Sequence, residues 1–176
     1  GIKSNVPDDG FNMAVIYDSE EVGSGTKQGA GSVIIRNIID RIFRKFGYDE
    51  ETAECALADA VGLSVDVAHG IHPNIPEKND PTNKLLLNHG FGIKTSAGER
   101  YASDPVVIGI VKGLCDRYDI KCQRFVNRSD IPGGSTLGTI TVANIPMRML
   151  DVGVPVLAMH SSRETMGIYD LSLIHI

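Results

Sequence analysis

Several features that mark whole classes of protein are scarce or missing in this sequence. It contains no tryptophan, only 6% aromatic residues and no basic run, and its net charge is −5. This composition gives no support for binding to nucleic acid or to an anionic membrane. No apolar run approaches the ~20 residues that span a bilayer. The sequence opens at Gly1 without Met and without a recognisable secretory signal. We therefore expect a cytoplasmic protein whose true N-terminus lies upstream.

Cysteine is also scarce. Cys55, Cys115 and Cys122 form neither a CxxC pair nor a zinc-finger pattern, and their odd number argues against a disulfide framework. We expect three reduced, mainly buried thiols.

The composition that remains is typical of a soluble globular protein, with 42% apolar and 22% charged residues. Its 176 residues suffice for one domain or for part of a larger one. Short apolar runs alternate with segments of helical periodicity, which predicts an α/β layered sheet. The predicted strands are residues 13–17, 62–68, 92–95, 123–126, 148–152 and 156–159, and the predicted helices are 30–46, 49–60 and 105–118.

Acidic and imidazole side chains recur at or just beyond the ends of the predicted strands. The adjacent Glu20 and Glu21 follow the first strand, and two neighbouring carboxylates repel each other unless a cation holds them or one stays protonated. Ligands of open α/β sheets bind outside the carboxyl ends of strands. A divalent ion there would explain the pair, with one glutamate as its ligand and the other as a proton acceptor. The other candidates at strand ends are Asp66, His69, His72, Arg128, Asp130 and His160.

Each of these signals has a simpler interpretation when taken alone. The glycine-rich stretch 23–32 lacks the Gly-Lys-Ser/Thr ending of a phosphate-binding loop, because Lys27 is followed by Gln28, so we expect a turn that leads into a helix. Paired acids often form a solvated strand end, and His89 in its polar loop is expected to be solvated. The case for function rests on the motifs occurring together.

Together, five motifs in this order resemble the aspartyl aminopeptidase family of cocatalytic zinc metallopeptidases. The resemblance covers residues 11–170, and the motifs are DSEEVGS, SVDVAHGIHPN, IKTSAGERYASD, NRSDIPGGSTLGTI and DVGVPVLAMHSSRET. It implies a layered helix–sheet–helix catalytic domain that binds two divalent ions, with zinc expected and cobalt or manganese as alternatives.

The resemblance also implies roles for individual residues. Glu20 matches the general base, and His69 matches a histidine that stabilises the tetrahedral intermediate. Glu21 and His160 match ligands of one metal, and Asp66 matches a ligand of the other. Lys94 matches a lysine that meets an acidic substrate side chain. Arg128 and Asp130 lie in a motif near the substrate site and receive no individual role.

The chain departs from the family pattern at both ends. The family has an upstream histidine ligand, an upstream bridging aspartate, an inserted dimerisation domain and a terminal helix, and none of these is found; Asp8 and Asp9 lie in a segment without the bridging motif. We expect residues 1–170 to be the C-terminal portion of the catalytic domain, incomplete at both ends and inactive by itself. Residues 171–176 (LSLIHI) resemble a translated sequencing-library end, and we expect a non-native tail; a short native strand is the alternative.

The implied function is a metalloaminopeptidase that removes N-terminal residues, preferably acidic ones, from peptides. As a partner, the resemblance implies further copies of the full-length protein, in a homo-oligomer of dodecameric type. Two alternatives stay open: a general aminopeptidase or deacylase of the same fold, and a non-catalytic assembly or cargo subunit.

Overall fold

The computed structural model describes residues 10–172 and contains one open sheet with helices on both of its faces. The helices are α1 Glu20–Gly23, α2 Ile34–Lys45, α3 Glu50–Asp59, α4 Pro105–Arg117, α5 Leu137–Asn144 and α6 Ile168–Ser172, with a 3-10 turn at Pro76–Lys78. The strands are β1 Val61–His69, β2 Phe91–Thr95, β3 Cys122–Val126, β4 Arg148–Leu157 and β5 Thr165–Met166.

The sheet has the strand order β1-β4-β2-β3, and β5 pairs with the carboxyl half of β4. β1 and β4 run parallel over nine residue pairs, and β2 and β3 run parallel to each other. The two halves meet in antiparallel register where β2 pairs with β4 at Gly92↔Gly153 and Ile93↔Val152. The carboxyl ends of β1 and β4 therefore lie at one edge of the sheet, and those of β2 and β3 lie at the opposite edge.

Side chains of the central strand β4 alternate between two helical layers. Leu150 and Val152 pack into a core cluster with Val107 and Cys115 of α4. The carboxylate of Asp151, on the other face of β4, lies against Gly138 in the first turn of α5. A second apolar cluster joins α2 and α3 to the segment that follows α5. This arrangement confirms the predicted α/β layered fold.

The predicted helices are present, with shorter boundaries. The Asp49 carboxylate accepts the backbone N–H of Thr52 at 2.8 Å and caps α3, and Asp104 caps α4 in the same way through Val106 and Val107. Both are N-caps that satisfy backbone donors of the first helical turn. Helix α2, the first of the predicted helices, begins at Ile34 instead of residue 30, because the glycine-rich segment before it forms successive turns.

The predicted strand at residues 13–17 is wrong. This segment belongs to no strand, and Ile16 is 98% exposed. It borders β1 across an apolar cleft of about 1010 Å³. β1 is an edge strand whose ladder runs to β4 only. An apolar run becomes a strand only where a neighbouring strand accepts its hydrogen bonds, and within residues 10–172 no strand pairs with residues 13–17.

Predicting two separate strands at residues 148–152 and 156–159 was also wrong, since β4 is continuous through Pro155. Proline lacks the N–H that a sheet ladder uses and is confined to positions where that donor is not needed. The pairing with β2 ends at Gly153 and the pairing with β5 begins at Val156, so Pro155 lies between the two ladders.

Helix α6 includes the first two residues of the segment expected to be a non-native tail, while residues 173–176, with His175, lie outside the described residues, as do Asp8 and Asp9. The fully buried Asp170 accepts backbone N–H groups from Asn88 at 2.6 Å and Gly90 at 2.7 Å. The chain is therefore anchored to the loop before β2 up to Asp170.

The cysteines are free thiols, but only Cys115 is buried. Burial and the neighbouring Cys122 thiol raise the pKa of Cys115 to about 11. Cys55 is exposed, so the expectation of mainly buried thiols is wrong for this residue. No helix in the described part of the chain is long and apolar enough to cross a membrane.

The apolar cleft is not lined by the acidic and imidazole residues of the candidate site. It is bounded by segment 10–17, α2, the end of α3 and β1, and Glu20, Glu21, His69 and His160 are not among its lining residues. Along β1, Val61, Leu63 and Val65 are each 52% exposed, which is unusual for three alternating residues of one strand face. The cleft thus marks an apolar face that the described residues leave partly uncovered.

Candidate metal centre

Glu20 and Glu21 form the first turn of the short helix α1, which projects Glu21 towards the loop after β4. Glu21 Oε1 and His160 Nε2 lie 2.8 Å apart, and both side chains are about two-thirds exposed. Residues 139 positions apart in the chain therefore direct a carboxylate oxygen and an imidazole nitrogen at the same point. Contrary to the prediction, Glu20 and Glu21 do not follow a strand. Glu21 nevertheless lies next to His160, another candidate from the sequence.

A second charged contact crosses the middle of the sheet. Lys94 lies on β2 and Asp66 on β1, with Gly153 of β4 between them, because Gly153 pairs with Asp66 and its neighbour Val152 pairs with Ile93. Lys94 Nζ donates to Asp66 Oδ2 at 3.0 Å. A Cβ at residue 153 would lie 2.7 Å from Lys94 Cε, so only glycine leaves room for the lysine to cross β4.

The carboxylates meet around Glu20. Partial burial raises the pKa of Glu20 above its usual value, and the neighbouring carboxylates of Glu21 and Asp66 raise it further, whereas the charge of His160 lowers it. The raised pKa makes Glu20 a stronger proton acceptor than an ordinary surface glutamate. A general base is most effective when its pKa approaches the working pH.

His69 is the last residue of β1 and lies close enough to His160 and Lys94 to be influenced by their charges. Partial burial lowers the pKa of its imidazole, and the positive charges of His160 and Lys94 lower it further. A lowered pKa favours the neutral ring, which carries one N–H donor and one acceptor. His69 can therefore donate a hydrogen bond without bringing another full positive charge into the cluster.

The backbone near the cluster is held in uncommon conformations. Ser19, Ala158 and His160 have φ values of 53°, 55° and 67°, in the left-handed region that non-glycine residues avoid. The N–H of His160 donates to the Glu164 carboxylate, which ties down the turn after β4. Strained residues of this kind concentrate at functional sites and persist only where surrounding contacts hold them.

The donor chemistry of the cluster fits a zinc ion, because carboxylate oxygen and imidazole nitrogen are both zinc ligands. Glu21 and His160 are in direct contact, and Asp66 supplies a further carboxylate near Glu20. Among residues 10–172, no group of three or more histidine, cysteine, aspartate or glutamate side chains lies close enough to enclose an ion. The described residues therefore provide part of a ligand set.

Arg128 and Asp130 are not brought into this cluster by any described contact. Arg128 binds Asp130 through two hydrogen bonds of 2.6 and 2.9 Å and also donates to the Glu77 carbonyl. They follow β3, whose carboxyl end lies at the edge of the sheet opposite to those of β1 and β4. His72 and His89 make only local loop hydrogen bonds, as expected for solvated histidines.

Sequence reasoning missed one residue next to the cluster. The buried Tyr101 ring lies below the ammonium of Lys94, with Nζ 5.4 Å from the ring centroid. Tyr101 lies in the GERYASD motif, seven positions after Lys94, but nothing in the sequence indicated that the chain turns back there.

Comparisons with known proteins identify the family. Residues 2–175 match the model of the aminopeptidase I zinc metalloprotease family, M18. A probable M18 family aminopeptidase 2 of Clostridium novyi is 46% identical over 90% of this chain, which covers 37% of that protein. A probable aspartyl aminopeptidase of Ricinus communis is 36% identical over 92% of this chain, which covers 33% of that protein.

Solved structures give the same result. A chain in the cryo-EM structure of the Ape4 and Nbr1 complex matches with a TM-score of 0.84 and 35% identity. The match covers 89% of this chain and 30% of that chain. The S. cerevisiae mApe1 dodecamer matches with a TM-score of 0.72 and 28% identity, over 89% of this chain and 34% of that chain.

The fold and these matches thus define an α/β domain of the zinc metalloprotease class. The family match covers nearly the whole chain, and the chain belongs to the aminopeptidase I zinc metalloprotease family, M18. It spans about a third of the length of the relatives reported above.

The buried ion pair leads to a prediction about stability. Lys94 keeps only 3% side-chain exposure, whereas Asp66 keeps 41%. Asp66→Asn leaves a buried ammonium without its counter-charge and should lower the free energy of unfolding by about 1–3 kcal/mol. Lys94→Met removes the buried charge and keeps the apolar stem, so its loss should be smaller. Urea denaturation of the chain measures both.

Asp40→Asn is the matched control, because it removes a carboxylate from Arg36 on α2, whose side chain is 24% exposed and keeps Glu54 as a second partner. It should cost at most ~1 kcal/mol, as exposed pairs do. A larger loss for Lys94→Met than for Asp66→Asn would show that the carboxylate does not stabilise the ammonium.

Proposed function

We propose that this chain is the catalytic portion of a metal-dependent aminopeptidase that removes N-terminal residues, preferably acidic ones, from peptides. The observation that carries the proposal is the meeting of Glu20, Glu21, Asp66 and His160 from three separate parts of the chain. Membership of a zinc metalloprotease family supports it.

Glu20 is proposed as the general base. It has the raised pKa described above, and the Glu21–His160 contact leaves it beside the pair instead of within it. In this role its carboxylate accepts a proton from the attacking water and passes it to the leaving amine, a step typically worth ~10²–10⁴ in rate.

Glu21 and His160 are proposed to hold one divalent ion and Asp66 to hold a second, with zinc expected and cobalt or manganese as alternatives. Such ions lower the pKa of bound water and polarise the scissile carbonyl. The two groups that already converge belong to one proposed ion, and Asp66 faces the same carboxylate cluster, which supports this division.

His69 and Lys94 are proposed to contact the substrate. The neutral imidazole of His69 donates a hydrogen bond to the oxyanion that develops at the attacked carbonyl. Lys94 binds the side-chain carboxylate of an N-terminal Asp or Glu. Its ammonium has three N–H donors, and Asp66 takes one of them, so donors remain for a second carboxylate when a substrate reaches this nearly buried nitrogen. Arg128 and Asp130 stay a proposed part of the substrate side of the site, although no described contact brings this pair to the cluster.

Residues 1–170 are proposed as the C-terminal portion of a larger catalytic domain, with residues 171–176 as a non-native tail. The partly uncovered apolar face along β1 supports this division, because the remaining part of such a domain would bury it. A cytoplasmic homo-oligomer is proposed for the full-length protein, in line with the dodecamer that the S. cerevisiae relative mApe1 forms.

Two further functions stay as alternatives to be tested. A general aminopeptidase or deacylase would use the same base and metals without a preference for acidic residues. A non-catalytic assembly or cargo subunit would keep the fold without needing a proton acceptor. Glu20 favours catalysis, since a structural ion needs only its ligands.

The role of Glu20 can be tested in the full-length enzyme by Glu20→Gln. The amide keeps the size of the side chain and one acceptor oxygen but cannot accept the proton. Turnover of an acidic aminoacyl substrate should fall by ~10²–10⁴ while zinc content is unchanged. A fully active Gln variant would show that another group is the base.

The preference for acidic residues is tested by Lys94→Leu in the same enzyme. Loss of the ammonium removes attraction to the substrate carboxylate, so kcat/KM for N-terminal Asp or Glu peptides should fall more than for N-terminal Ala peptides. Equal losses on the two substrates would mean that Lys94 has a structural role only. A wild-type enzyme without acidic preference would favour the general aminopeptidase.

The isolated 176-residue chain is expected not to hydrolyse peptides. Glu21 and His160 give one ion two protein ligands, below the three typical of catalytic zinc, and Asp66 alone is a weak anchor for a second. Metal content by mass spectrometry and an aminopeptidase assay, with zinc or cobalt supplied, test this. Two tightly bound ions per chain, or turnover that Glu20→Gln abolishes, would show that the chain contains a complete site.

A further inference from the structure

Lys94 reaches its position through a set of contacts that the proposed chemistry does not use. The Tyr101 ring lies under its ammonium and is buried to 7% exposure. A cation above an aromatic face is attracted by the ring quadrupole. The ring also contacts Phe125 on β3, with centroids 6.0 Å apart. Any shift of the Tyr101 ring therefore changes the surface on which the Lys94 ammonium rests.

The backbone beside Tyr101 is fixed by β4. The N–H of Ala102 donates to the buried Asp151 carboxylate at 2.5 Å, and the N–H of Asp151 donates to the Ala102 carbonyl at 2.8 Å. These reciprocal bonds hold the main chain of the segment against the sheet. These backbone bonds do not determine the direction of the Tyr101 side chain.

Asn127 sets that direction at the hydroxyl end of the ring. Its Nδ2 donates to Tyr101 Oη at 2.6 Å. The amide is held in turn by the loop after β3, because Gly133 packs directly on it: a Cβ at residue 133 would lie 2.1 Å from Nδ2 and 2.8 Å from Cγ of Asn127. Arg100, next to Tyr101 in the chain, donates to the Gly133 carbonyl at 3.0 Å.

We infer that Asn127, held by Gly133, is a positioning residue that sets the Tyr101 ring beneath Lys94 and so controls selectivity for acidic substrates. The inference rests on the proposed function of Lys94. It gives a role to the NRSDIPGGST motif through Asn127 and the glycine pair, neither of which contacts the proposed metal ligands by any described hydrogen bond.

The glycine pair supplies a matched test in the full-length enzyme. Gly133→Ala places a methyl group against the Asn127 amide, whereas Gly134→Ala, one residue further, meets nothing within 4 Å. Neither glycine has a positive φ, so alanine fits both backbones. Asn127→Leu removes the hydrogen bond itself. Each variant is assayed for kcat and KM on matched peptides that begin with Asp or with Ala.

We expect Gly133→Ala and Asn127→Leu to lower the Asp/Ala ratio of kcat/KM by about three- to tenfold, mainly through KM for the Asp peptide. Gly134→Ala should leave the ratio unchanged. Asn127→Gln, which keeps a donor amide, should recover part of the loss. Thermal melting checks that each variant folds.

An unchanged ratio in folded Gly133→Ala and Asn127→Leu would overturn the inference, as would equal losses on both peptides or an equal effect of Gly134→Ala. If the wild type shows no preference for Asp, or if Lys94→Leu does not change that preference, the proposed role of Lys94 fails and the inference about Asn127 fails with it. This result is distinguishable from a failure of Asn127 alone, in which Lys94→Leu changes the preference but the Asn127 and Gly133 variants do not. If either of the two variants fails to fold, the smaller Asn127→Ser carries the same comparison, with Asn127→Gln as its conservative control.

Discussion

The ion pair of Lys94 and Asp66 is the interaction on which the rest of the site depends. It joins β2 to β1 across β4, and it exists only because residue 153 has no side chain. A nearly buried ammonium is costly without a counter-charge, so the pair fixes the carboxylate of Asp66 on the face of the sheet where Glu20 lies. The raised pKa of Glu20 depends in part on that carboxylate. The Lys94–Asp66 pair thus fixes the position of the ammonium proposed to bind the substrate and also raises the basicity of Glu20, the proposed catalytic glutamate.

Around this pair, charge is arranged so that each group suits one task. Glu21 is matched to His160, and Glu20 remains surrounded by negative charge, which favours its uptake of a proton. Partial burial of His69, together with the positive charges of His160 and Lys94, favours the neutral form of its imidazole. Neighbouring residues of the same type therefore differ in chemistry because their surroundings differ, which is how pairs of titratable groups acquire separate acid and base roles.

Much of the fold and most of the cluster follow from the sequence, for identifiable reasons. The periodicity of Ile35, Ile39 and Phe43 and the Asp49 cap are local signals, and local signals predict helices well. The strand predicted at residues 13–17 was wrong because a strand depends on a partner that composition does not reveal. The strands predicted at residues 148–152 and 156–159 are one strand, because β2 and β5 pair with β4 on either side of Pro155, and such pairing is a property of the tertiary structure. Tyr101 and Asn127 were missed for the same reason, since their contacts join segments whose approach is set by the crossover from β2 through α4 to β3.

The central claim is that residues from three parts of the chain form one two-metal centre, and anomalous diffraction at the zinc absorption edge tests it most directly. Crystals of the full-length enzyme, prepared with zinc, should show one anomalous peak within about 2.0–2.3 Å of both the Glu21 carboxylate and the His160 imidazole. A second peak should lie against Asp66, with the Glu20 carboxylate bound to neither ion. Zinc bound away from Glu21, His160 and Asp66, or Glu20 as a direct ligand in place of Glu21, would contradict the account.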